Sequence, residues 1–335
     1  MANVTTLRQR FDMRTGLTTM CQDARMIPAT AHFIWLGPAF PWFNVLAVRS
    51  ALDRGEFDKA VIHHDHPPHA GNWSALLVDD RVHARRIDVK QMCEAAGVPA
   101  HPITSLLSEL VAPAARSNVL RCLALAGEGG VYLDTDTVTI RTLTDLRQAN
   151  GVFCGQERVA APARWQSPGW RRTWSWALMG VRHAFRAWPR GYVPFRRIER
   201  LYPLAVNNAV LGSVPHHPLL MTLLAAMVNM SPERRKRRFA LGTHLLQQHI
   251  EREAHDGVRV YPPDFFYPLP PAIADHWFRS HSKHDVDRVV SANTRVVHWY
   301  GSHHRRTHMQ RLDPAYVKAN AKQQMLSQLA APFCG

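Results

Sequence analysis

Two carboxylates one residue apart, Asp134 and Asp136, sit in the stretch GGVYLDTDTVTI at residues 129–140. Like charges this close repel unless something offsets them. Three uses are open. The pair can be a solvated turn after a strand. It can be a phosphatase site of the pattern hydrophobic-D-x-D-x-[TV], with Asp134 as nucleophile and Asp136 as acid/base. Or both can hold a divalent cation that in turn holds a diphosphate. The phosphatase chemistry also needs a downstream lysine and then an acidic pair for magnesium. The lysines beyond Asp136 are Lys236, Lys283, Lys318 and Lys322, and none is followed by an Asp-Asp pair. The phosphatase is therefore a minor alternative.

The elements around the pair favour a ligand site. AHFIWLG (31–37) is a compact apolar run closed by Gly-Pro and predicts a buried strand. KAVIHHD (59–65) predicts a second strand and RVHARRIDV (81–89) a weaker third. ARSNVLRCLALAGEGG (115–130) spaces Val119, Leu120, Leu123 and Leu125 for a helix of about three turns, with Ser117 as its N-cap and glycine as its stop. VYLDTD follows as a strand. This alternation predicts an α/β domain with a mostly parallel sheet. In such sheets ligands bind outside the carboxyl ends of the strands. Period-two spacing would point Asp134 and Asp136 the same way at such an end.

Composition bounds the reading. The chain has 335 residues, 46% hydrophobic and 20% charged, which is globular and not disordered. Lys and Arg total 41 against 26 Asp and Glu, a net charge of +15. That excess suits an anionic partner, or reflects a basic, Arg-rich proteome. The cysteines (Cys21, Cys93, Cys122, Cys154 and Cys334) lack C-x-x-C spacing and read as free thiols of a reducing compartment. Residues 1–24 form a polar lead-in with no apolar signal core. The uncharged runs 26–48 and 201–232 are broken by Pro, Asn and His, so neither reads as a membrane span. The expected location is the cytoplasm, with a peripheral place at the inner membrane face. A secreted effector is the minor alternative. The histidine clusters HHDHPPH (63–69) and HHRRTH (303–308) are weak zinc candidates. His304 and His308 have the spacing of H-E-x-x-H without its Glu.

The segment 115–140 resembles the DXD sugar-binding region of a glycosyltransferase family with the pattern S-D-x-x-R, helix, G-G-hydrophobic-Y-x-D-x-D. That family includes yeast α-1,6-mannosyltransferase, globotriaosylceramide synthase, capsule-synthesis transferases and, more distantly, the clostridial glucosylating toxins. IPATAHFIWLG (27–37) looks like its opening strand. NNAVLGSVPHHPLL (207–220), YPPDFFYP (261–268) and VVHWYGS (296–302) resemble its later blocks in the right order. The resemblance implies a GT-A fold, a Rossmann-like nucleotide half joined to an acceptor half, over residues 25–310, with 311–335 as a C-terminal extension. It implies a nucleotide-sugar donor with UDP favoured, a Mn²⁺ or Mg²⁺ ion, and retaining transfer of a hexose to a hydroxyl of a glycan, polysaccharide or glycolipid. A toxin-like enzyme acting on a protein is the alternative.

The resemblance also assigns roles. Asp136 is the metal ligand, and Asp134 serves metal, ribose or sugar. Arg121 lies near the donor sugar and phosphate, where a guanidinium can fork onto oxygens. Trp35 offers an indole face to the base, the alternative being a core tryptophan. Ile34, Ser117 and Tyr132 are further donor contacts, and Asn208 is a weaker one from the NNAV block. His298 and Ser302 belong to the C-terminal block that closes over the diphosphate, and His298 can complete the metal site. Two departures stand out. Asn118 occupies the position where the family usually has Asp, and His303 follows Ser302 where it often has Trp.

Residues 157–200 form a basic insert with ten arginines, five tryptophans and only two acids, Glu157 and Glu199. Within 171–188, Trp174, Leu178, Val181, Phe185 and Trp188 fall at helical spacing, with Arg172, Arg182 and Arg186 elsewhere on the wheel. A basic amphipathic helix of this kind can lie on an anionic membrane. It can equally pack on its own domain. A non-enzymatic membrane- or nucleic-acid-binding protein would use the same patch. Nucleic acid is the weaker expectation, because no reader motif accompanies it.

Overall fold

The computed structural model describes residues 26–68, 71–148, 151–159, 168–252, 256–280, 285–301 and 311–334. The lead-in 1–24, Ser302, His303, His304 and His308 lie outside the described residues.

The described residues form nine strands: β1 (Thr30–Trp35), β2 (Lys59–His64), β3 (Val82–Arg86), β4 (Gly130–Leu133), β5 (Thr137–Thr139), β6 (Val152–Arg158), β7 (Leu204–Ser213), β8 (Val258–Tyr261) and β9 (Val296–His298). Seven build one sheet in the order β3-β2-β1-β4-β7-β6-β8, and β5 pairs with β9 in a separate ribbon. β1 runs parallel to β2 and β4, β2 to β3, and β6 to β8. Only β7 is reversed, antiparallel to both β4 and β6. This is the α/β architecture with a mostly parallel sheet expected from the sequence. The order 3-2-1-4 is that of a Rossmann-like half, whose ligand crevice opens where the winding reverses, between β1 and β4.

Helices cover both faces, so β1 and β4 are apolar on both sides. Phe33, Val131 and Leu133 face one core with Phe43 and Leu46 of helix Trp42–Gly55 and with Trp299. Ile34 and Tyr132 face the other, with Leu123 of helix Pro113–Glu128 and Leu223 of helix Pro218–Val228. Leu312, Val317, Leu326 and Phe333 join the first core, so residues 311–334 pack with the rest of the domain. The cysteines among the described residues are buried free thiols.

The double glycine before β4 has two jobs. Gly129 ends helix Pro113–Glu128 at φ 66, and its N–H bonds back to Leu125. Gly130 enters the strand at φ 104, where a Cβ would lie 2.5 Å from the Thr30 carbonyl oxygen. Only glycine takes both the positive φ and the close approach. The helix itself starts earlier than expected. Pro113 occupies its first turn and Ala112 its N-cap, in keeping with proline's preset φ. Ser117 is therefore not a cap; it lies inside the helix with its hydroxyl near Tyr132 and Arg121.

A buried histidine pair ties this corner to the sheet. His32 Nε2 lies 2.9 Å from the Gly129 carbonyl oxygen, and its Nδ1 lies 3.1 Å from His63 Nε2. A carbonyl only accepts, so His32 Nε2 carries the proton, its Nδ1 accepts from His63 Nε2–H, and His63 Nδ1 is bare. Both rings are neutral in this scheme. Burial drives the His32 pKa down to about 4 and holds that of His63 well below its ordinary value.

The unfolded chain takes up these protons near pH 6.5, whereas folded His32 resists until about 4. Stability from this group is full above pH 6.5 and is lost as pH falls toward 4. Linkage sets the loss at about 2 kcal/mol between pH 7.5 and 5. Urea unfolding at both pH values should show it, and His32→Gln should flatten the slope. An unchanged slope in the variant would contradict the assignment.

Candidate active site

β4 ends at Leu133, and the two aspartates sit on the turn that follows. Asp134 N–H still donates to Ala209 of β7, at 2.8 Å. The chain then reverses, with the Thr137 hydroxyl donating to the Asp134 carbonyl at 2.7 Å. It leaves the main sheet as β5, whose partner β9 sets Thr137 opposite His298. This corrects the period-two expectation. The carboxylates converge through a turn and not along one strand.

That register brings His298 Nε2 to 3.0 Å from Asp136 Oδ1. One ligand atom from each of Asp134, Asp136 and His298 lies within 4.8 Å of the others. The Gly301 N–H donates to Asp136 Oδ2 at 2.7 Å. A Cβ on Gly301 would fall 3.0 Å from Asp136 Cβ and 2.9 Å from the Trp299 ring, so a side chain there would strain this contact.

Tyr300, between them, adopts φ 56, the left-handed region uncommon for an aromatic residue. It is held there from its far end. Its hydroxyl donates to Glu157 Oε2 at 2.6 Å, and Asn207 donates to Oε1 at 2.8 Å. The Tyr300 ring lies 4.2 Å from that of His298. Sequence reasoning missed Glu157, Tyr300 and Gly301 as parts of the site. The signal available for Glu157 was its being one of only two acids in a basic stretch.

On the other side stands Arg121, 5% exposed. Its Nη2 lies 3.2 Å from Asp134 Oδ1, and its guanidinium lies 4.2 Å over the Tyr132 ring. Nη1 donates to the Asn208 carbonyl. The Tyr132 hydroxyl donates to the same Asp134 oxygen at 2.6 Å, and Ser117 Oγ is 3.4 Å from that hydroxyl. Asn118 Oδ1 accepts from Asn208 Nδ2 at 2.9 Å. The fold thus connects Asp134, Asp136, His298, Arg121, Tyr132, Ser117, Asn118 and Asn208. Trp35 is half-buried at the end of β1, edge-on to Phe40 and Phe43. His32 pairs with Tyr132, so Trp35 and Asp134 leave adjacent parallel strands at the same end. Ile34 is buried in the core on the opposite side from Trp35.

Burial and the neighbouring Asp136 charge push the Asp134 carboxyl above its ordinary range, against the pull of Arg121. Burial acts the same way on Asp136, but His298 and the Gly301 N–H outweigh it, and that carboxyl lies below its ordinary range. Burial works to lower the His298 pKa, but the Asp136 charge overcomes it and raises it. Among the described residues, this is a focused site with unequal carboxylates.

Removing Arg121 should leave Asp134 facing Asp136 without its cation. Breaking a buried pair from one side typically costs about 3 kcal/mol. Denaturant unfolding should show a loss of that order in Arg121→Met. Arg121→Lys should recover only part, because an ammonium cannot reproduce the fork over Tyr132. Wild-type stability in Arg121→Met would contradict this role.

Residues 58–153 match the family model described as the glycosyltransferase sugar-binding region containing the DXD motif. The segment runs from β2 to β6 and includes Arg121, Asp134 and Asp136. No curated protein matches the sequence. Among solved structures, the chain is similar to the PaToxG glycosyltransferase, with 16% identity, 68% of this chain and 71% of that one covered, and a TM-score of 0.43. It is also similar to the UDP-bound glycosyltransferase domain of the YGT toxin, with 11% identity, 70% and 79% covered, and a TM-score of 0.41. A third is the bifunctional glycosyltransferase WbbM, with 11% identity, 85% and 47% covered, and a TM-score of 0.39. The family model falls on the segment that carries the two aspartates and their arginine, and residues 58–153 are similar to the DXD-containing sugar-binding region of glycosyltransferases.

Proposed function

We propose that the chain transfers a hexose, with retention, from a UDP-sugar to a hydroxyl of a glycan, polysaccharide or glycolipid, using Mn²⁺ or Mg²⁺. The observation that carries this reading is the convergence of Asp134, Asp136 and His298 beside the crevice between β1 and β4. Two carboxylates and an imidazole form a donor set such an ion accepts. His298 Nδ1 is also buried without a partner in the protein. Asp136 and His298 would hold the ion, with Asp134 as the third ligand. When bound, the ion neutralises charge on the leaving diphosphate.

The chain's own residues supply the rest. Arg121 keeps Asp134 in place and sets a fixed positive charge beside the donor. Gly301 and Tyr300 hold the β9 end against Asp136. The Trp35 indole provides a flat apolar surface for the base. Asn118 and Asn208, already bonded to each other, present amide groups that can both donate to and accept from sugar hydroxyls. Retention and the choice of UDP rest on the resemblance of the motifs.

Calorimetry of UDP, UDP-glucose, UDP-galactose, UDP-GlcNAc and GDP-mannose, with and without Mn²⁺, tests the reading. One nucleotide class should bind only with metal. Asp136→Ala should weaken that binding by more than the roughly 10–100-fold typical of losing an outer partner of a metal ligand. Binding to none of them, or equal binding by the variant, would contradict it.

A further inference from the structure

The helix Gly169–Ala187 sits the wrong way round for an amphipathic helix packed on its own domain. Its inward side carries Leu178 and Phe185, but also Arg186, which pairs with Asp275. The outward side carries Trp170, Trp174, Ala177, Val181, Ala184 and, just past the helix, Trp188, at steps of four and three residues. The tryptophans are 51–65% exposed. A Cβ on neighbouring Gly180 would meet nothing within 4 Å, so among the described residues no other part of the chain covers this point. The expected wheel is corrected accordingly. Leu178 and Phe185 part from Trp174, Val181 and Trp188, and the arginine-bearing side faces the protein.

Charge selects what covers the stripe. The helix contains no acidic residue. The acids that reach this region, Asp275 and Asp285, engage Arg186 and Arg190. Arg171 lies over the Trp170 ring and is exposed, as are Arg197 and Arg200 beyond the helix. A second copy would set two unbalanced basic helices side by side. An anionic surface would be attracted to them, and indoles prefer the boundary between lipid headgroup and acyl chain. Among the described residues no helix is long and apolar enough to cross a membrane, so this one would lie in the interface plane.

We propose that the exposed face of helix Gly169–Ala187, with Trp188, docks the protein on an anionic phospholipid bilayer. This is independent of what the site at Asp134 transfers. The test is co-sedimentation of the full chain with vesicles of phosphatidylcholine alone and of phosphatidylcholine with equimolar phosphatidylglycerol. The wild type should pellet with the anionic vesicles only. The triple variant Trp170→Ser, Trp174→Ser, Trp188→Ser should lose binding by about tenfold or more, and brominated acyl chains should quench indole fluorescence in the wild type but much less in the variant. These residues are exposed, and an unchanged circular dichroism spectrum and melting temperature will verify the variant's fold. The proposal is overturned if the wild type stays in solution with anionic vesicles, or if the variant binds them equally. It is also overturned if sedimentation velocity shows a dimer that the variant loses, which would make a second copy the occupant.

Discussion

Two carboxylates in a partly desolvated crevice must be separated, neutralised or protonated. This structure meets that constraint asymmetrically. Arg121 and the Tyr132 hydroxyl converge on one oxygen of Asp134. His298 and the Gly301 N–H divide the two oxygens of Asp136. The groups holding Asp134 come from the helix Pro113–Glu128 and β4. Those holding Asp136 come from β9 and the residues after it. The turn between the aspartates is therefore the junction of the Rossmann-like half with the C-terminal segment.

Much of the fold exists to fix that junction. Gly129 and Gly130 let the helix turn into β4 within two residues, and the neutral His32–His63 pair anchors the turn to the two strands beside it. The β5–β9 pairing fixes the approach of His298. Buried Glu157 holds Tyr300 in its left-handed conformation from the opposite side. None of these groups belongs to the Asp134, Asp136 and His298 cluster, yet each sets the position of a residue that does or that contacts one.

The legible part of this design was local. Apolar runs closed by Gly or Asp marked β1, β2 and β4, and the apolar spacing of 115–130 marked the helix that carries Arg121. Asp134, Asp136, Arg121 and His298 were all recognisable from blocks of residues. What the sequence concealed depends on contacts distant along the chain. The turn at 134–136 looked like continuing strand, because its geometry is set by pairing with residues 160 positions later. Glu157 looked like a stray acid, because its partners come from β7 and from beyond β9. The wheel of helix Gly169–Ala187 grouped Leu178 and Phe185 with Trp174, Val181 and Trp188 for the same reason. A helical wheel gives two faces but not which one the protein covers, and the Arg186 pairing with Asp275 turns the arginine-bearing side inward.

The central claim is that Asp134, Asp136 and His298 bind one divalent ion together with a nucleoside diphosphate. Electron paramagnetic resonance of Mn²⁺ tests it most directly, since the sharp signal of the free ion fades on binding. In a titration with UDP present, the wild type should remove free-ion signal up to one ion per chain, and His298→Ala and Asp134→Asn should leave most of it in place. Undiminished signal with the wild type, or equal loss with both variants, would contradict the account.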